Sequence, residues 1–277
     1  MRKLLSANFA RLWKNKVLWL GTAVLFVWSV MHMANGCRQA TQSMSDFNYG
    51  LDHYYFLYVL LIGVFCAVFT SLFIGSEYSD GTIRNKLVVG HTRIQVYFAN
   101  LLTCFTATML MMSAWLLGAL TAIPVLGTWK MGASGLFLYL LLSILIAAAN
   151  AAIFTLISML CGSKATAAVV CILLAFGLLL CGSTVYNRLQ APEMTNNIIV
   201  TAEEGMSFSE PEPNPDYVSG WARTAYEWIL DLLPSGQGIQ ISDLAVARPL
   251  RMLLLSVFLT GTVTAAGVFF FLKKDLK

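Results

Sequence analysis

The pattern of charged and apolar residues divides the chain into six long apolar stretches joined by polar connections. Lys, Arg, Asp and Glu are absent from six windows of at least 21 residues, at 17–37, 54–76, 94–129, 131–163, 165–187 and 252–272. About 20 apolar residues cross the hydrocarbon core of a bilayer as a helix, and a charge at its centre costs about 3 kcal/mol or more. The pattern predicts an all-α membrane protein with a single domain over residues 1–277. Its six transmembrane helices are predicted at 17–34, 55–76, 101–123, 135–160, 167–185 and 252–272.

The distribution of Lys and Arg predicts the orientation of these helices. Twelve of these residues lie on the side of the termini: Arg2, Lys3, Arg11, Lys14, Lys16, Arg84, Lys86, Arg93, Lys164, Lys273, Lys274 and Lys277. The short loops of the opposite side carry only Arg38 and Lys130. Because cytoplasmic connections are rich in Lys and Arg, both termini are predicted to be cytoplasmic. The net charge of +4 then describes a basic rim that faces anionic lipid head groups, and it does not indicate nucleic acid.

Residues 1–16 have the pattern of an amphipathic helix that lies in the membrane interface. One arc is apolar and the other basic, with Leu5, Phe9, Leu12 and Trp13 opposite Lys3, Arg11 and Lys14. A basic anchor that sets the topology explains these residues equally well.

The stretch 75–100 is a polar island between the second and third spans. Asp80-Gly81 predicts a turn, Thr82 is predicted to cap a helix over Thr82–Val89, and Gly90 is predicted to end it. Ile83 and Leu87 are four residues apart and share one face of this helix.

The string Glu77-Tyr78-Ser79-Asp80-Gly81-Thr82-Ile83-Arg84, followed by Thr92-Arg93, resembles the cytoplasmic loop of type-2 (ABC-2-type) ABC transporter permeases. In that family a Glu, a Gly-Thr pair and a downstream Arg flank a coupling helix, which seats in a groove of a separate ATPase subunit. The sequence departs from the family at Asn100, where a Lys is frequent. The resemblance implies an ATPase-coupling set of Glu77, Gly81, Thr82, Ile83, Arg84, Leu87 and Arg93.

Within that set the resemblance implies two kinds of contact. Ile83 and Leu87 fill the ATPase groove, while Glu77 and Arg84 make polar contacts to the ATPase or to the N-terminal helix. That N-terminal helix resembles the elbow helix of the same family.

Residues 186–250 are predicted to form a large external loop. The stretch 188–251 carries nine acidic residues and six of the seven prolines. Residues 192–215 are predicted to be irregular, Tyr217–Leu233 to be a helix that Pro234-Ser235-Gly236 ends, and 239–247 to be a second short segment. Trp221 and Trp228 favour a position at the outer interface. The resemblance implies an external gate there.

Three further features have two interpretations each. Asn150 in the fourth span either lines a substrate path or makes an interhelical hydrogen bond. His32, Cys37, Asp52 and His53 either form a metal site or are ordinary residues near the membrane surface. Because their spacing fits no standard zinc pattern, no metal site is predicted. Cys37 and Cys181 either form an external bridge or serve as small apolar residues.

The chemistry of the chain narrows its function. No span has a central ionisable residue, and the chain has neither a catalytic motif nor a phosphate loop, so ATP and Mg are expected on a partner. We predict a non-catalytic permease subunit of a bacterial ABC exporter in the plasma membrane. Two ATPase copies and a second or related permease are the expected partners, and an amphiphilic molecule such as an antimicrobial peptide, drug or lipid-like compound the cargo. The alternatives are half of an ion-coupled secondary transporter, or a sensor or scaffold that transports nothing.

Overall fold

The computed structural model describes residues 1–42, 51–127, 130–195, 198–201, 205–208 and 210–275. The helices are α1 Arg2–Trp13, α2 Lys16–Gln42, α3 Asp52–Tyr55, α4 Tyr58–Ser79, α5 Thr82–Val88, α6 Arg93–Ala119, α7 Ile123–Leu126, α8 Ala133–Leu160, α9 Lys164–Gln190, α10 Gly220–Leu232, α11 Pro234–Ser242 and α12 Pro249–Lys273. A 3₁₀ turn at Leu120–Ala122 joins α6 to α7. The strands are β1 Met194–Thr195, β2 Ile198–Thr201, β3 Gly205–Phe208 and β4 Glu212–Pro213.

Six helical segments within the described residues are long and apolar enough to cross a membrane. They are Lys16–Thr41, Asp52–Ser79, Arg93–Leu126, Ala133–Leu160, Lys164–Gln190 and Pro249–Lys273, and each contains one predicted span. The all-α class and the six candidate transmembrane helices are thereby confirmed. The helices are longer than the predicted spans because a helix extends past the apolar stretch to its capping residues. For example, α6 begins at a capping box formed by Thr92 and Gln95, well before the first residue predicted to enter the membrane.

The bundle has an inner and an outer layer of spans. Within the apolar 18-residue stretch of each span, 56% of the residues are buried in α4 and α8, against 22% in α2 and α9 and 11% in α12. The inner helix α8 packs against α12 and α4, while α4 also packs against α9, and α2 packs against α6. Small buried side chains on α8, among them Ala147 and Ala151, permit this close approach of neighbouring helices.

The two ends of the bundle differ in composition. Contacts among α1, α5, the α8–α9 turn and the end of α12 gather these elements at one end, which we call the terminal end. The other end, called here the opposite end, carries α3, α10 and α11.

The connection predicted as a large loop contains more structure than the sequence suggested. The prediction of an irregular 192–215 is wrong for its described part, because β1 pairs antiparallel with β4 and β2 with β3. Pro234 ends α10 as predicted, yet it also occupies the first turn of α11, where its missing N–H costs no hydrogen bond. The second short segment is therefore Pro234–Ser242 rather than 239–247.

Helix α11 is embedded among the spans at the opposite end. It packs against α9, α4 and α8, and its residues Gln237 to Ile241 are buried. Two glycines permit close contacts of α11. A Cβ added at Gly182 of α9 would lie 2.7 Å from Ser235 Oγ, and one at Gly236 would lie 2.3 Å from the Leu230 carbonyl oxygen of the preceding helix α10.

Candidate functional site

Glycine conformation and helix capping set the path of the chain around α5. Gly81 has φ +66° and Gly90 has φ +96°, both in the left-handed region that glycine adopts readily. Gly81 is the N-cap of α5, so the prediction that Thr82 caps this helix is wrong. The Thr82 hydroxyl instead donates to the Glu77 carbonyl oxygen at 3.1 Å. The helix ends at Val88, one residue earlier than predicted.

Glu77, near the end of α4, is the centre of a buried polar network. Its side chain has no exposed surface. Oε1 forms ion pairs with Arg11 of α1 and Lys86 of α5, and Oε2 accepts a hydrogen bond from Asn100 Nδ2 of α6 at 2.8 Å. One carboxylate thus joins four helices.

Asn8 of α1 completes this network. Its Nδ2 donates to Asn100 Oδ1 at 2.8 Å, and its Oδ1 accepts from Lys86 Nζ at 2.9 Å. We call Asn8, Arg11, Glu77, Lys86 and Asn100 the terminal cluster. Burial lowers the pKa of Lys86, while the Glu77 carboxylate acts in the opposite direction. A buried carboxylate is tolerated when it is paired and hydrogen-bonded, and the terminal cluster provides both.

Helix α1 turns a different face to the bundle from the predicted one. Leu4, Asn8 and Leu12 are buried, whereas Trp13 is 50% exposed. The predicted apolar arc of Leu5, Phe9, Leu12 and Trp13 is therefore offset. Spacing by four already aligned Asn8 with Leu4 and Leu12, and this was the signal for a buried polar residue on that face.

A second set of contacts ties the ends of three spans together. Arg93, at the start of α6, donates to the carbonyl oxygens of Phe271 at 3.0 Å and Leu272 at 3.1 Å, near the end of α12. Lys274 Nζ donates at 3.0 Å to the carbonyl oxygens of Met159 and Cys161, where α8 ends. Cations at these positions satisfy the last carbonyl groups and complement the helix dipoles.

Several residues predicted to contact the ATPase instead contact other parts of this chain. Glu77 contacts the N-terminal helix, which was one of its two predicted partners, and its burial excludes contact with another protein in this conformation. Arg93 binds the end of α12. Ile83 is 1% exposed and lies in the core, so the prediction that it fills a groove of the ATPase is corrected.

The exposed apolar residues at the end of α5 are Val88 and Val89. They are 86% and 78% exposed, whereas Leu87 is half-buried against the core and Arg84 is exposed. Sequence reasoning missed both valines because it assigned the outward direction to the face of Ile83 and Leu87. That face packs inward onto the spans.

Asn150 lies between α8 and α4 with little room around it. Its Nδ2 donates to the Ile146 carbonyl oxygen of its own helix at 3.0 Å, so the predicted interhelical hydrogen bond is replaced by a local one. The adjoining cavity of 20 Å³ is lined by Gly63 and Phe154 among others. Its volume suits about one water molecule, and it is not a substrate path in this conformation.

The two predicted gate residues do not close the bundle. Trp221 is 85% exposed and Trp228 49% exposed, whereas α11 fills the opposite end. A buried carboxylate of α10 attaches this region to α12: Asp231 pairs with Arg251 and lies 3.7 Å from Arg248, and its Oδ1 accepts from Gln240 Nε2 at 2.9 Å.

The remaining chemical alternatives concern a metal and a disulfide. Among the described residues no group of three or more His, Cys, Asp and Glu side chains is placed to hold a metal ion. Asp52 instead accepts the backbone N–H groups of Lys130 and Met131, each at 2.7 Å. All six cysteines lie in the described ranges and are free, Cys37 half-buried and Cys181 exposed.

Six apolar helices packed into one bundle define this chain as a multi-pass membrane protein. A family model described as "ABC-2 family transporter protein" matches residues 4–182, and the chain belongs to this family. The match runs from α1 into α9 and includes the whole terminal cluster. Membership of this family identifies the chain as an ABC permease. It also supports the bacterial inner membrane as its location. The search of curated proteins returned no match.

Proposed function

We propose that the chain is the membrane subunit of an ABC exporter and that a separate ATPase drives it through α5. In this proposal the terminal end is cytoplasmic, α1 is the elbow helix and α5 the coupling helix. ATP and Mg bind to two ATPase copies, and a second permease, identical or related, completes the transporter. This chain performs no catalysis itself.

The observation that carries the proposal is the terminal cluster. Through Glu77 and Lys86 it connects the short α5 to α4, and through Asn8 and Asn100 it connects both to α1 and α6. A force applied to α5 is therefore passed to two spans and the elbow helix together, because the buried ion pairs resist separation. A sensor or scaffold has no need of such a connection.

The contact with the ATPase is assigned to the exposed end of α5. Val88 and Val89 form an apolar pair in a polar connection, and such a pair is stabilised when a partner covers it. Arg84 is exposed on the same helix and supplies a polar contact at the edge. In this proposal Val88 and Val89, and not Ile83, occupy the groove of the ATPase.

Transport follows from a difference in affinity between two conformations. ATP binding brings the two ATPases together. The permease conformation that fits the joined ATPases is then stabilised relative to the other conformation. Helix α11 fills the opposite end, so release of cargo on that side requires α11 to move relative to α4 and α9. The apolar spans suit an amphiphilic cargo, and export is the proposed direction. An ion-coupled carrier is less well supported, since the spans lack central ionisable residues.

Replacement of Val88 and Val89 together by Asp is expected to abolish association with the ATPase. Two charges would replace the apolar contact surface, while the spans and the terminal cluster stay intact. The test is co-purification of a phosphate-loop ATPase with the tagged, membrane-inserted chain from its own host.

The matched control for this prediction is Asn85→Asp, which adds negative charge to the same exposed helix without removing an apolar contact. It is expected to retain the ATPase. Undiminished ATPase binding and ATP-driven transport by the Val88→Asp, Val89→Asp chain would contradict the assignment of α5. Transport by the lone chain in response to an ion gradient would favour the carrier alternative instead.

A further inference from the structure

A pocket of 210 Å³ opens beside α5 at the terminal end, and the apolar contact proposed for Val88 and Val89 does not account for it. Its walls come from three separate parts of the chain, and we call it the tail pocket. The lining residues used below are Glu77, Tyr78, Arg84, Gly162, Lys274 and Asp275. A cavity of about 150 Å³ accommodates benzene, so the tail pocket has room for a whole side chain.

The charges around the tail pocket favour an acidic group. Arg84 is exposed, and no hydrogen bond or ion pair to its guanidinium is found among the residues that the structure describes. Within the described residues, the acceptors of the Lys274 ammonium are uncharged: Tyr78 Oη and two carbonyl oxygens, each at 3.0 Å. Two described carboxylates line the pocket, Glu77 and Asp275. Glu77 is already paired with Arg11 and Lys86, so Asp275 is the described carboxylate that faces Arg84 and Lys274.

The walls of the tail pocket belong to elements that contact one another. Lys274 follows α12 and caps the end of α8, and Tyr78 belongs to α4. A side chain held between Arg84 and Lys274 therefore touches α5, the α8–α9 turn and the end of α12 at once. Contact at α5 alone would reach α12 only indirectly.

We propose that the tail pocket receives an acidic side chain of the partner ATPase, whose carboxylate pairs with Arg84 beside Lys274. This inference rests on the proposed function and adds a second contact to it. The ATPase inserts a residue into the permease here, whereas at Val88 and Val89 the permease inserts into the ATPase. The end of the last span is thereby held by the ATPase directly.

Filling the pocket tests this proposal. At Gly162 an added Cβ meets no atom within 4 Å, so Gly162→Phe places a ring at the pocket without displacing the backbone. The matched control is Gly177→Phe, because Gly177 is equally open but lies on the exposed face of α9 within a span. We expect Gly162→Phe to reduce the amount of co-purifying ATPase about tenfold, as for a central interface contact, and Gly177→Phe to leave it unchanged.

Photocrosslinking identifies the inserted group. With p-benzoyl-phenylalanine at position 162, irradiation of native membranes should give an adduct with a phosphate-loop ATPase, on a peptide that contains Asp or Glu. Arg84→Glu should weaken association as strongly as Gly162→Phe does. An adduct on a peptide without an acidic residue, or equal losses in both glycine variants, overturns the inference.

The failure of this inference and that of the proposed function are distinguishable. If the Val88→Asp, Val89→Asp chain loses the ATPase and Gly162→Phe retains it, the tail pocket assignment is wrong and the coupling assignment stands. If the unaltered chain binds no ATPase, both are wrong.

Discussion

Replacement of Glu77 by Gln is expected to cause the largest loss of stability of any single polar substitution at the terminal end. The amide keeps the size of the side chain but leaves Arg11 and Lys86 without their counter-charge. Removing one partner of a buried ion pair costs about 3–5 kcal/mol. Since the Arg11 side chain is 32% exposed and recovers some hydration, we expect the lower end of that range, about 3 kcal/mol.

Thermal unfolding of the purified protein in detergent measures this effect. A loss of about 3 kcal/mol lowers the Tm by roughly 6 °C or more for a chain of this size. The control is Asp80→Asn, an exposed acidic residue three positions further along, which is expected to change the Tm little. Equal Tm values for Glu77→Gln and Asp80→Asn would show that the terminal cluster does not stabilise the fold.

The same substitution should respond to a second change at Lys86. Lys86→Met removes the cation that Glu77→Gln leaves buried without its partner, so the double variant should be more stable than the two single losses added together predict. A double-mutant cycle on Tm-derived free energies measures this coupling. Additive losses would mean that Glu77 and Lys86 act independently.

The second large effect is expected at the opposite end, from Asp231→Asn. The Asp231 side chain is 3% exposed and pairs with Arg251, while Gln240 donates to it. The substitution leaves a part-buried guanidinium without its charge partner. It weakens the attachment of α10 to the start of α12, which then depends on Glu227 and its ion pair with Arg248. We expect a loss of about 3 kcal/mol and faster cleavage by trypsin after Arg251, because Pro249 makes the bond after Arg248 resistant.

Asp216→Asn is the matched control for that prediction. Asp216 carries an ion pair with Arg188 at 3.7 Å, but its side chain is 66% exposed. An exposed pair contributes about 0–1 kcal/mol, so this variant should resist trypsin as the unaltered chain does. Indistinguishable cleavage rates for the Asp231 and Asp216 variants would contradict the proposed attachment of α10 to α12.

The difference between prediction and structure is clearest in the short helix α5. Its ends were predictable, since Gly81 and Gly90 act through local backbone preference. The direction of its faces was not predictable. A helix of seven residues has Ile83 on one side and Val88 on another, and both are apolar. Which one turns inward depends on α1, α4 and α6, and those contacts are distant in the chain.

The partners of Glu77 illustrate the same limit. Its place in a family motif was visible, and contact with the N-terminal helix was one of two alternatives. Lys86 and Asn8 were not identified, because a residue nine positions away and another in a separate helix meet Glu77 or its neighbours only after packing. The departure at Asn100 has a structural explanation, since Asn100 joins Glu77 to Asn8 by its two amide atoms.

The sequence by itself determined the six spans and, to within one residue, the extent of α5. Each is a local property, because the cost of a charge in hydrocarbon and the φ preference of glycine apply residue by residue. Only the tertiary structure decided that Glu77 is buried, that Ile83 turns inward and Val88 outward, and that α11 lies among the spans. These outcomes depend on which helices pack against one another. The local sequence pattern does not distinguish the possible packing arrangements, and burial and ion pairing between distant residues favour one of them.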